Sequence, residues 1–106
     1  DTQWWRAKGS DTFCPVGPWI DTAFEDPENR RLRTLVNGEV KQDHTTADLT
    51  FKLGEVLEIV TSSITLQPGD IVLTGTPTGF CPLHDGDVVE VEIEGLGTLR
   101  NVVKDA

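Results

Sequence analysis

The sequence has no methionine. A primary translation product begins with one and this chain begins with Asp1, so the expectation is a trimmed protein or a part of a longer one. Cysteine is scarce as well. Cys14 and Cys81 are too few for a disulfide framework and lack metal-ligand spacing, which leaves them as reduced packing residues. Basic side chains are also few, 9 Lys and Arg against 18 Asp and Glu, for a net charge of −9. With no basic stripe to displace counterions from phosphates, nucleic acid is excluded as a partner. The same charge argues against an anionic membrane surface. No apolar run approaches the roughly 18 residues of a membrane span, and no secretory signal pattern opens the chain. The expected setting is the cytoplasm. Repeats, low-complexity tracts and linker-like runs are absent too, so residues 1–106 read as part of one domain.

What is present reads mostly as β-structure. Asn37-Gly38 lies between two runs of mixed apolar and polar residues. It is the strongest short hairpin signal, because a type I′ turn needs positive φ at both central positions. Strands are expected at about 31–36 and 39–43. A helix near residues 46–61 follows, capped by Thr45 with Asp48 supporting the first turn. Its apolar face is Leu49, Leu53, Val56, Leu57 and Val60, and Gly54 weakens it by about 1 kcal/mol relative to alanine. Pro68-Gly69 predicts a type II turn feeding a strand at 71–74. Asp85-Gly86 predicts a turn into a strand at 87–94, and a glycine turn at 95–97 leads to a last strand at 98–103. Residues 11–20 read as a short strand or an extended crossing segment. The class is mainly β with one helix, which suits a sandwich-like or rolled sheet.

Three stretches in series carry a resemblance. These are WRAKGSDTFCPVGPWI, LRTLVNGEVKQDHTTADLTF, and LQPGDIVLTGTPTGF followed by GDVVEVEIEGLGTLRN. In order, spacing and wording they resemble the C-terminal part of the fumarylacetoacetate hydrolase family over nearly all of the chain. The wording is most similar to the bacterial branch of 2-hydroxyhepta-2,4-diene-1,7-dioate isomerases and related decarboxylases and acylpyruvate hydrolases. The resemblance implies a divalent-metal-dependent enzyme of the kind used in aromatic catabolism, acting on 2-oxo acids or 1,3-diketone-like substrates. Mg²⁺, Mn²⁺ or Ca²⁺ would chelate the 2-oxo acid end and stabilise an enolate. It further implies a homodimer, and metal ligands (a Glu-x-Glu pair and a later Asp) upstream of Asp1. None of this chain's residues matches them.

The resemblance also implies site roles, each with a plainer alternative. Lys8 matches the family's active-site lysine, a cation able to hold a carboxylate or balance the developing enolate. Otherwise it snorkels past Trp4 or Trp5 with its ammonium in solvent, or pairs with Asp11. Thr76, in TGTP, matches a substrate-contacting threonine, and Gly75 lets the backbone come close. The alternative is an ordinary strand-to-turn junction. Thr12 matches a threonine near the same lysine and a second cation, or else satisfies local backbone. Glu90, Glu92 and Glu94 share one strand face by their period-two spacing and read as a solvated face, not a metal site. His44 and His84 lie in polar turns with no triad partner, and neither is assigned a role. Two further readings belong to other classes: a non-catalytic structural or dimerising β domain, and a module that binds small carboxylates without turnover.

Overall fold

The computed structural model describes residues 2–105. Four strands form one antiparallel sheet: β1 (Arg31–Val36), β2 (Glu39–Thr45), β3 (Val88–Ile93) and β4 (Gly97–Val102), in the order β2-β1-β3-β4. The mainly β class is as expected, and the strand limits agree to within two residues. Asn37 and Gly38 both take positive φ, 52° and 80°, as the tight β1–β2 turn demands. Gly95 and Gly97, at φ 81° and 115°, turn β3 into β4. Gln67 to Asp70 close the Pro68-Gly69 turn with a 3.0 Å bond from the Asp70 N–H to the Gln67 carbonyl.

Register divides the sheet into two unlike faces. Arg33 lies opposite Glu92, and Glu90 opposite Arg100. These cross-strand neighbours form ion pairs at 2.5 and 4.0 Å. The Glu90/Glu92 face is therefore a half-buried ladder of charge pairs rather than a row of solvated carboxylates. On the other face, Leu32 opposes Ile93 and Thr34 opposes Val91. Trp19 crosses this face and packs on Gly97, where any Cβ would lie 2.8 Å from the indole ring.

Between Thr34 and Leu35 the β1–β2 register slips, because Thr34 pairs with Gln42 but Leu35 with Val40. Lys41 is the extra residue of a β-bulge, which bends the edge strand locally.

Three expectations need correction. The helix of 46–61 is two pieces. Thr45 does cap, its Oγ1 accepting from the Ala47 N–H at 3.2 Å, but it caps a single 3₁₀ turn, Thr46–Asp48. The chain then extends through Leu49 (ψ 127°), and α2 runs only over Leu53–Thr61. Its first turn is held by Glu55, which accepts from the Lys52 N–H at 2.8 Å, and by the distant Glu28, which accepts from the Leu53 N–H at 2.7 Å. Residues 71–74 form no strand, since no neighbour offers them a ladder. Residues 11–20 form no strand either, and of the two readings the extended crossing segment stands, with Trp19 lying across the sheet. A short helix absent from the sequence reading, α1 (Trp4–Gly9), precedes them, with Arg6 and Lys8 in the last turn, where cations suit the helix dipole.

Burial is thin. Among the described residues Val36 is the buried apolar side chain and Gln42 the buried polar one, each 8% exposed. The accessible surface is 8261 Å², against about 5900 Å² for a compact monomer of this mass. The radius of gyration is 14.8 Å, against about 13 Å for a compact domain of this length. All three tryptophans are exposed. Among the described residues no helix is long and apolar enough to cross a membrane.

Candidate functional site

The edge strand β2 presents Gln42 and His44 on the same face, two residues apart, and the loop 74–79 is pinned against them. Gln42 Nε2 donates to Thr76 Oγ1 and to the Pro77 carbonyl, both at 3.0 Å. His44 Nε2 lies 3.3 Å from the Thr78 carbonyl. A carbonyl only accepts, so that ring nitrogen carries the hydrogen. Gly79 (φ 97°) completes the docking, because a Cβ there would overlap the Lys41 carbonyl oxygen at the bulge. The bulge and the glycine are complementary: the displaced Lys41 carbonyl occupies the space a side chain would need.

Gly75, at φ 94°, turns the loop and has open space around it. It supplies conformation rather than a close approach. Gly75 and Thr76 line a cavity of about 480 Å³ between the sheet and α2, with Leu32, His44, Leu53 and Ile93 as other walls. The Thr76 hydroxyl receives the Gln42 amide, and the contact left for its own hydrogen is the Pro77 carbonyl at 3.5 Å. That is the long limit of a hydrogen bond. The lining is mostly apolar, with the Asp48 carboxylate and the hydroxyls of Thr45, Thr46 and Thr50 also at its wall, and the Thr76 donor there suits a small molecule bearing a carbonyl or carboxylate oxygen.

Lys8 and Thr12 are not among the residues that line this cavity. The Lys8 ammonium sits over the Trp4 ring, 4.9 Å from its centroid, one helical turn away. Among the described residues it forms no ion pair with Asp11. Thr12 has φ 69° at the third position of a turn closed by the Phe13 N–H and the Ser10 carbonyl at 3.0 Å. A β-branched residue there costs about 1–2 kcal/mol relative to a relaxed conformation, and such strain gathers at functional positions. The structure thus joins Gly75 and Thr76 in one place and leaves Lys8 and Thr12 in another.

A second open groove, about 640 Å³, lies on the charged face and is lined by Arg31, Arg33, Glu92 and Glu94. Its arginines are already committed. Arg31 makes two bonds to Asp43, at 2.8 and 2.6 Å, and Arg33 pairs with Glu92. The Arg31 guanidinium, mainly by hydrogen bonding, holds the Asp43 carboxyl below the usual carboxylate range. An incoming anion would have to break those pairs. His84 and Asp87 lie apart from both cavities, in the turn before β3. Asp87 Oδ2 accepts from the His84 N–H at 2.8 Å, and Asp87 Oδ1 from Asn37 Nδ2 at 2.8 Å. Bonds from Asn37 and His84 hold the Asp87 carboxyl below its usual range. This is turn chemistry, joining the two ends of the β1–β3 pair.

Among the described residues no group of three or more His, Cys, Asp or Glu side chains could hold a metal ion. The donor set of these residues therefore does not fit a divalent centre. Sequence reasoning missed Gln42 and Gly79, and gave His44 no role. Gln42 reads as one more polar residue of an alternating strand, and only the loop folded onto it reveals its partners.

Comparison with known proteins gives the family. Residues 1–104 match the family described as fumarylacetoacetate (FAA) hydrolase C-terminal. Protein Rv2993c of Mycobacterium tuberculosis is 54% identical over 97% of this chain and 40% of its own length. The crystal structure of 2-hydroxyhepta-2,4-diene-1,7-dioate isomerase from Mycobacterium marinum superposes with a TM-score of 0.92 at 53% identity, over 97% of this chain and 40% of that one. Maleylpyruvate hydrolase from Sphingobium sp. SYK-6, in complex with manganese(II) and pyruvate, gives a TM-score of 0.86 at 40% identity, over 90% of this chain and 37% of that one. The chain spans about 40% of the length of such relatives. With the sheet, the TGTP loop and the terminal hairpin all matched, the chain belongs to the fumarylacetoacetate hydrolase family.

Proposed function

We propose that this chain is the carboxylate-gripping part of an enzyme acting on 2-oxo acids or 1,3-diketone-like substrates, by hydrolysis, isomerisation or decarboxylation next to a carbonyl. The observation that carries the reading is the Thr76 hydroxyl, held by Gln42 at a mostly apolar cavity. Gly75 gives the loop its turn, and Thr76 donates to a substrate oxygen. A donor placed at developing negative charge is worth about 10²–10³ in rate where water is excluded. The manganese and pyruvate bound to the Sphingobium hydrolase support a small 2-oxo acid as ligand and a divalent ion (Mg²⁺ or Mn²⁺) as cofactor of the whole protein. Among the described residues no group of three or more ligands could hold such an ion, so most of its ligands come from elsewhere in the whole protein. Lys8 serves as the site's cation and Thr12 as its neighbour, and Lys8 reaches Thr76 only when its ammonium leaves the Trp4 ring. The whole protein works as a cytoplasmic homodimer, with neither nucleic acid nor membrane as a partner.

Turnover of a panel of 2-oxo acids by the whole protein with Mg²⁺ or Mn²⁺ tests this. Thr76→Val is expected to lower kcat/KM by about 10²-fold. Lys8→Ala is expected to lower it as sharply while leaving the melting temperature unchanged, because an exposed lysine adds little packing. Wild-type kinetics in either variant removes that residue from the site. One observation favours a second reading, a structural or dimerising β domain: Lys8 rests on Trp4, apart from the cavity. Absence of turnover across the panel, together with a stable dimer by sedimentation, selects that reading.

A further inference from the structure

We infer that Gln42 is a positioning residue that makes Thr76 a hydrogen-bond donor toward its ligand, an inference that rests on the carboxylate-binding reading of Thr76. Two atoms face the same Gln42 amide group at 3.0 Å, the Pro77 carbonyl oxygen and Thr76 Oγ1. The carbonyl can only accept, so the amide nitrogen, not the amide oxygen, faces both. Thr76 Oγ1 must then accept from Gln42, and its own hydrogen has to point elsewhere. The Pro77 carbonyl at 3.5 Å is a poor alternative, at the long limit of a hydrogen bond. The hydrogen is left for a ligand in the cavity, and what it meets there is an acceptor, such as a carboxylate or carbonyl oxygen.

Burial makes the arrangement firm. Gln42 is 8% exposed, so water does not compete for its amide, and a buried polar side chain without its partners is costly. The β-bulge at Lys41 and the close approach of Gly79 fix the loop at the height where both bonds form. Without the Gln42 amide, Thr76 Oγ1 loses the donor that orients it, and the hydroxyl is free to turn to the Pro77 carbonyl. The threonine then satisfies itself instead of the ligand.

A double-mutant cycle on the whole protein tests this, with pyruvate and Mn²⁺ as the probe and calorimetric affinity as the readout. Gln42→Met keeps the length of the side chain and removes the donor. It is expected to weaken pyruvate binding about tenfold, the worth of one hydrogen bond to a charged group. Thr76→Val is expected to weaken it at least as much. The combination Gln42→Met with Thr76→Val is expected to bind no worse than Thr76→Val alone, since Gln42 acts only through the hydroxyl. A residue with a merely structural role would give additive losses. Gln42→Glu, similar in shape but ionised and unable to donate, should repeat the Gln42→Met result and serves if that variant does not fold. Additive losses, or wild-type affinity in Gln42→Met, overturn the inference and leave Thr76 in place. Unchanged affinity in Thr76→Val overturns the reading of Thr76 and the inference with it.

Discussion

The four-stranded sheet and the segment 64–83 are built from similar residues and reach opposite ends. In β3, Val88–Ile93, each apolar residue finds a cross-strand neighbour and the intervening glutamates find arginines. In 71–74, Ile71, Val72 and Leu73 form an apolar run of strand-favouring residues, yet Ile71 and Leu73 are 58% and 63% exposed. The larger apolar side chains point away from the molecule, and no ladder forms. Strand propensity is the ability to fit a pleated, half-buried surface, and here that surface is missing for one segment and present for the other. The proposed ligand loop, 75–79, begins where the unpaired segment ends. Its order comes from β2 through Gln42, His44 and the bulge, not from a ladder of its own.

The contrast can be broken at its joints. Gly79→Ala should have the largest effect, about 3 kcal/mol, because a methyl group meets the Lys41 carbonyl and the backbone takes a positive φ. Denaturant unfolding of the whole protein measures it, and a cost below 1 kcal/mol would mean that the loop is not docked on the bulge. Asn37→Ala comes next at about 2 kcal/mol. It removes the bond from Asn37 Nδ2 to Asp87 and the 2.9 Å bond from the Val88 N–H to Asn37 Oδ1, at a residue with φ 52°. Asn37→Gly, which keeps the turn conformation, should cost less, and equal costs would assign the whole effect to the lost bonds. Glu28→Ala should cost about 1 kcal/mol by uncapping α2, seen as faster amide exchange at Leu53 while the sheet stays protected.

The smallest effect is on pH dependence. The Asp87 carboxyl is held below its usual range by bonds from Asn37 and His84, and Asp43 below it by Arg31. A lowered folded-state pKa means stability that is present above the unfolded value of about 4 and lost as pH falls through the folded value. Melting temperature should therefore fall on acidification from about pH 4 downward. Asp87→Asn should flatten that limb, and an unchanged limb would assign it to other carboxylates.

Much of the sheet was legible in the sequence because its signals are local. Asn37-Gly38, Asp85-Gly86 and Gly95 to Gly97 each specify a turn, and the period of two in VVEVEI specifies a face. The helix was half legible: Thr45 and Asp48 do form a capping box, but nothing local shows the extended Leu49 or the cap that Glu28 supplies to Leu53 from 25 residues away. IVLT at 71–74 misled because its pattern is right and its partner is lacking. At the site, TGTP drew attention to Gly75 and Thr76 through the family resemblance. Gln42 and Gly79 stayed invisible, since a polar residue on a strand and a glycine in a loop carry no mark of meeting each other.

The most direct measurement is a pyruvate titration of the whole protein with Mg²⁺, followed by amide and side-chain chemical shifts. Shifts at Gly75, Thr76 and the Gln42 side-chain amide are expected, with smaller ones at His44 and none at Arg31 or Arg33. Shifts confined to Arg31, Arg33 and Glu92 would place the anion on the opposite face of the sheet and contradict a grip at Thr76.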